Sequence, residues 1–314
     1  MVKTPHLDRL AERGVWFNRM FSCTAICSPS RSSFHTGMYL RGHGAFANNA
    51  PMYQPYASLP GELRRAGYTT AMTGKSHLPK SIEAEYDEVR DMHAYHAELQ
   101  EKGFCYKEFD DLTTKNFQAC CSKIPEDLQN EVWTANESIR FLRGREGQEN
   151  PFFLWCSFDR PHCPHTPPES FDSLYDPEEV PLDWEGYAAF EASLMQNRPM
   201  IEDFWKLGSV RHNPDIFRKA VCRYLALITL IDREIGRVLD ALEKCGEADN
   251  TVIVFTSDHG DFAGHFGQLG KNLPGYDDLL RIPFIYYDPL RWTPSVGQGT
   301  GFHSAHTRSE GCRR

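Results

Sequence analysis

Cys27 stands two residues ahead of Pro29 and four ahead of Arg31, in the run CSPSRSSFHTG. Ser28 is a good helix N-cap and Pro29 a favoured first helical residue, which predicts that Cys27 sits just ahead of a helix N-terminus. Free backbone N–H groups and the positive end of the helix dipole stabilise an anion there, and Arg31 adds a guanidinium to the same spot. A buried cysteine beside a capped helix is the plainer reading of the same residues. What separates the two is whether other reactive groups gather around the thiol. Three pairs of polar residues each follow an apolar run: Lys75 and His77, His162 and His165, Asp258 and His259.

The elements that must position them read as an alternation of helix and strand. From Asn213 to Cys245 the residues Phe217, Val221, Tyr224, Ile228, Ile231, Ile235, Val238 and Leu242 mark one face of a long helix, capped at Asn213 and stopped at Gly246. TVIVFTSDHG, from Thr251, reads as a buried parallel strand ending at Ser257, and PFFLWCSF (151–158) as a second. Upstream, TPHLDRLAERG is a helix followed by the strand VWFNRMF, and SLPGELRRAG is a helix followed by YTTAMTG. This order predicts an α/β fold, in which ligands collect beyond the carboxyl ends of the strands, where the three polar pairs stand. Residues 80–150 and 166–212, rich in charge, proline and aromatics, read as insertions and loops that shape a pocket.

Composition narrows the classes. The net charge of -9, with no Lys/Arg-rich block, argues against a nucleic-acid partner, so an anionic substrate needs a local cluster of cations. No apolar stretch is long enough to span a bilayer, and MVKTPHLDRLAERG lacks the apolar core of a secretory signal. The ten cysteines have no CxxC spacing, so they read mostly as buried small hydrophobes and lean toward a reducing, cytoplasmic setting.

CSPSRSSFHTG resembles the first motif of the sulfatases, and AGYTTAMTGKSHL resembles the second. RPHCPHTPP and FTSDHGDFAGHFGQLGK are similar to later landmarks of that family, in the same order. The resemblance implies an alkaline phosphatase-like α/β fold, a mainly parallel sheet flanked by helices. It also implies a sulfuric ester hydrolase whose cysteine, here Cys27, is oxidised to formylglycine by a separate maturation enzyme that reads Cys-x-Pro-x-Arg. Arg31, Lys75 and Lys271 take the positions of cations around the sulfate ester substrate. His77 takes that of the base for sulfate release, and His162 that of the acid near the leaving group. His165 competes with His162, which is preferred because it fills the Pro-His-x-Pro position. A divalent metal, expected to be Ca²⁺, falls to Asp258, His259 and the modified Cys27.

The family's first strand ends in two aspartates that bind the metal, and its members continue into a smaller C-terminal subdomain. The expectation here is a catalytic domain over 1–295 without that strand or subdomain, and a disordered or out-of-frame tail over 296–314. Such a chain should bind Ca²⁺ poorly and turn over little sulfate ester. Two alternatives stay open: a phosphonate or phosphate ester hydrolase of the same superfamily, and an inactive remnant that keeps the fold.

Overall fold

Small and β-branched residues let Thr69–Gly74 sit buried between two neighbours, as the middle strand of a three-stranded parallel sheet. The computed structural model describes residues 2–105, 119–195, 213–271 and 275–291. Its strands are β1 (Val15–Trp16), β2 (Met20–Phe21), β3 (Thr69–Gly74), β4 (Glu88–Asp91), β5 (Phe152–Ser157), β6 (Ile253–Thr256), β7 (Arg281–Ile282) and β8 (Phe284–Tyr287). The parallel sheet has the order β4-β3-β5. Antiparallel pairing gives a second sheet, β1-β8-β6, and a two-stranded ribbon, β2-β7. Helices pack on these sheets, as the α/β reading requires: Asn130–Arg143 lies between β3, β5 and the long helix Pro214–Lys244, and Pro5–Arg13 lies between that helix and β8.

The long helix begins and ends where the sequence places it. The Asn213 side chain accepts from Ile216 N at 3.1 Å, and Gly246 takes a positive φ just past the end. Phe217, Val221, Ile231 and Leu242 are buried, whereas Tyr224, Ile228, Ile235 and Val238 on the same face are half-buried. These four line a cavity of 1320 Å³ between β5 and β6. Among the described residues β5 pairs only with β3 and β6 only with β8, so the facing edges of the two strands border the cavity.

Several expectations need correction. Residues 253–256 form no parallel pair: β6 is antiparallel to β8, and Val254 is exposed, because the strand pairs on one side only. Residues 80–150 are not merely loops over an edge. They contain β4, which completes the parallel sheet, and the helix Asn130–Arg143 beneath it. Ten residues of that helix are buried, including Glu131, Thr134 and Ser138, whose polarity hid the core face from a hydrophobicity reading. The thiols are not mostly buried either: of the nine described, only Cys27 and Cys222 are. Residues 296–314 lie outside the described residues. No described helix is long and apolar enough to cross a membrane.

Candidate active site

Cys27 is the first residue of the helix Cys27–Thr36, with Ile26 as N-cap, rather than the residue before the helix. Ser28 does not cap it. Its backbone N–H, one of the orphan donors of a helix start, instead donates to Asn48 Oδ1 at 3.0 Å. Pro29 still fits, because a third helical residue has no N–H partner to lose. The thiol is buried and surrounded by bases and cations. Lys271 Nζ donates to Cys27 Sγ at 2.7 Å, and His259 Nε2 lies 3.3 Å from the same sulfur. Burial alone would push the thiol up. Hydrogen bonds with His162, His259 and His77, and the Lys75 charge, outweigh it and bring the group down to about 2.

His259 Nδ1–H donates to Gly260 O at 2.8 Å, which turns Nε2 toward Cys27 Sγ and Lys271 Nζ.

Two buried ion pairs frame this group. Arg31 Nε donates to Asp258 Oδ2 at 2.8 Å. Arg31 Nη1 donates to Lys75 O at 2.8 Å, to Ser76 O at 3.3 Å and to Ser157 Oγ at 2.8 Å. One guanidinium thus ties the helix of Cys27 to the ends of β3, β5 and β6. The second pair joins Lys75 Nζ and Asp159 Oδ1 at 3.0 Å. Burial raises both aspartates' affinity for a proton, but neighbouring cations win. Arg31, His259 and Lys75 hold Asp258 well below the usual carboxylate range, and Lys75, Arg160 and His162 bring Asp159 to about 2. Lys75 reaches this place because Gly74 precedes it. Gly74 has φ +84°, and a Cβ there would meet Ser157 O at 2.0 Å.

His162 is half-buried, and its Nδ1–H donates to Cys163 O at 2.7 Å. Its contact with the Cys163 thiol, then the hydrogen bond with Cys27, raise it to about 10 against the effect of burial, so the ring is an imidazolium at neutral pH. Arg160 holds this loop by donating to His162 O at 3.2 Å, to Pro164 O and to Thr166 Oγ1 at 3.0 Å. Beneath Arg160, Glu131 Oε1 lies 3.7 Å from Nε, and burial pushes the Glu131 carboxyl up to about 7. His165 points into the core, its ring 5.4 Å from that of Tyr224, and burial pushes it down to about 4. Exposed His77 has a positive φ of 48°.

The structure therefore brings Cys27, Arg31, Lys75, His77, His162, Asp258, His259 and Lys271 into one site and sends His165 elsewhere. Asn48, Asp159, Arg160 and Glu131 were not foreseen. Their partners are 20 to 84 residues away or sit on other elements, and no periodicity marks them.

Cys27 Sγ, His259 Nε2 and an Asp258 oxygen lie within 4.8 Å of one another. A hard cation such as Ca²⁺ takes about 6–8 oxygen ligands. This trio offers one carboxylate, already committed to Arg31, beside a nitrogen and a sulfur. The described residues do not supply a Ca²⁺ shell.

A parallel sheet flanked by helices, with a buried thiol and cations beyond its strand ends, defines an α/β protein with a cation-lined pocket. The sulfatase family model matches residues 1–308, and the chain belongs to the sulfatase family. It is 31% identical to an arylsulfatase of Clostridium perfringens over 92% of this chain and 64% of that protein. It is 29% identical to the multifunctional alkaline phosphatase superfamily protein PehA of Trinickia caryophylli, over 91% of this chain and 63% of that protein. The fold is that of the phosphonate monoester hydrolase of Agrobacterium radiobacter: TM-score 0.74 at 24% identity, covering 92% of this chain and 64% of that one. The chain thus spans somewhat less than two thirds of the length of these relatives.

Proposed function

We propose that residues 1–295 form the catalytic domain of a sulfuric ester hydrolase whose nucleophile is a formylglycine made from Cys27. The observation that carries this reading is the convergence on one sulfur of Lys271, at 2.7 Å, and of His259, His77 and His162. A formylglycine, hydrated to a geminal diol, supplies one hydroxyl to attack sulfur and a second whose deprotonation expels sulfate. The maturation partner is an enzyme that reads Cys27 to Arg31.

The chain's own residues do the rest. Lys75 and Lys271 neutralise the sulfate oxygens, whose charge grows in the transition state. Arg31 adds positive charge and, through Asp258, fixes the floor of the site. His162, protonated at neutral pH, donates its proton to the departing alcohol oxygen. His77 takes the proton from the second hydroxyl as sulfate leaves. Because the metal trio holds a single carboxylate, the 314-residue chain should bind Ca²⁺ weakly and turn over slowly.

A phosphonate or phosphate ester is the second reading. A tetrahedral phosphoryl group fits the same cations, and proteins of this fold include phosphonate monoester hydrolases. The test is a side-by-side assay of an aryl sulfate and a phosphonate monoester, using chain co-produced with a formylglycine-generating enzyme. The first reading expects faster sulfate turnover that disappears in Cys27→Ala. Equal turnover by Cys27→Ala would remove Cys27 from the chemistry, and a phosphonate preference would favour the second reading.

A further inference from the structure

The donor set that fails for Ca²⁺ suits a different ion. We infer that, while residue 27 is still a cysteine, Cys27 Sγ, His259 Nε2 and Asp258 form a binding site for a thiophilic divalent cation of the zinc type. Zn²⁺ takes sulfur at about 2.3 Å and nitrogen or oxygen at about 2.0–2.2 Å, tetrahedrally. Such a shell separates its sulfur and nitrogen ligands by about 3.5 Å, and its nitrogen and oxygen ligands by about 3.3 Å. Here Cys27 Sγ and His259 Nε2 are 3.3 Å apart, and His259 Nε2 and Asp258 Oδ1 are 3.5 Å apart. Two of the three ligand spacings thus match the ion, and all three atoms lie within 4.8 Å of one another.

Three further features fit. The His259 ring is held as a metal-ligating imidazole usually is, with Nδ1–H on a backbone carbonyl and Nε2 turned toward the sulfur. Asp258 binds Arg31 through Oδ2, which leaves Oδ1 on the His259 side. And a cation already stands at this spot: the Lys271 ammonium bridges Cys27 Sγ and His259 Nε2. A metal must displace it. On binding, Cys27 is held as the thiolate, any proton on it passes to solvent, and Lys271 withdraws still protonated, with water as the fourth ligand. Oxidation of Cys27 to formylglycine removes the sulfur and with it the preference for zinc. The site belongs to the thiol form and does not depend on the hydrolytic reading.

The experiment uses full chain made without a maturation enzyme, with Co²⁺ as the optical probe and Zn²⁺ as competitor. One equivalent of Co²⁺ should give a sulfur-to-metal charge-transfer band that Zn²⁺ abolishes and excess Ca²⁺ does not. Cys27→Ser should lose the band, and His259→Ala should weaken binding at least about tenfold. Lys271→Met should tighten it, because the competing ammonium is gone. The band in wild-type chain needs no variant to fold. Absence of the band, or its survival in Cys27→Ser, would overturn the inference. If the site binds zinc but the matured chain hydrolyses no ester, the inference stands and the proposed function falls. Hydrolysis without a cobalt–sulfur band in the thiol form gives the converse.

Discussion

The cavity between β5 and β6 has two unlike ends. At one, Leu154, Ile235, Val238 and Ile253 are half-buried, packed on apolar neighbours on one side and facing open space on the other. At the other, Arg31, Lys75, Asp159 and Asp258 are clamped by ion pairs and carbonyl bonds that reach across four elements. Apolar packing is non-directional and tolerates a gap, whereas a buried charge must find its partner at a fixed place. The candidate site sits at the end whose geometry is over-determined.

The sharpest way to break the polar end is at its centre. Cys27→Ala should abolish turnover in matured chain, measured with an aryl sulfate. Lys75→Ala and Lys271→Ala should each lower kcat by about 10²–10³, the usual loss for one transition-state donor. Near wild-type kcat in either would take that lysine out of the site.

Stability measurements carry the comparison further. Glu131→Ala leaves Arg160 buried without its carboxylate, and should lower stability by about 3–5 kcal/mol in urea titration. Glu131→Gln, which keeps an acceptor, should cost less. His35 gives a pH signature. It is buried, its Nδ1–H donates to Arg31 O at 2.9 Å, and Nε2 accepts from Tyr86 at 2.8 Å. Burial lowers it to about 4, below its usual 6.5, so the unfolded chain binds more protons between those values. Stability from His35 is complete above pH ~6.5, declines as pH falls, and at about pH 4 is lower by about 3 kcal/mol. Urea titrations across that range should show the slope, and His35→Phe should flatten it. The smallest effect belongs to the apolar end. Leu154→Ala, facing existing space, should cost about 1–2 kcal/mol, below the usual 2–5 for a packed leucine. A full-sized loss there would mean that the end is as tightly held as the polar one.

The same contrast explains what could be read from the sequence. The long helix was legible because Asn213, the apolar period and Gly246 are local signals. Cys27, Lys75, His162 and Asp258 were legible because each follows an apolar run and sits in a family motif. The pairing of β6 with β8 was not, since strand direction is set by partners far along the chain. Nor was the support of the site. Glu131 looked like one charge among many on a polar stretch, and only folding puts it under Arg160. Asn48 gave no sign that it would hold the backbone of Ser28.

The central claim is that Cys27 is a precursor of the nucleophile rather than a buried thiol beside a capped helix. The thiol is 1% exposed in the folded chain, so conversion has to occur before folding closes the site. The direct measurement is the mass of the peptide containing Cys27 after co-production with an active formylglycine-generating enzyme. The expected result is the aldehyde in place of the thiol, and its loss when Arg31 is replaced by alanine. A peptide that carries only the thiol, while a control substrate is converted in the same cells, would contradict it.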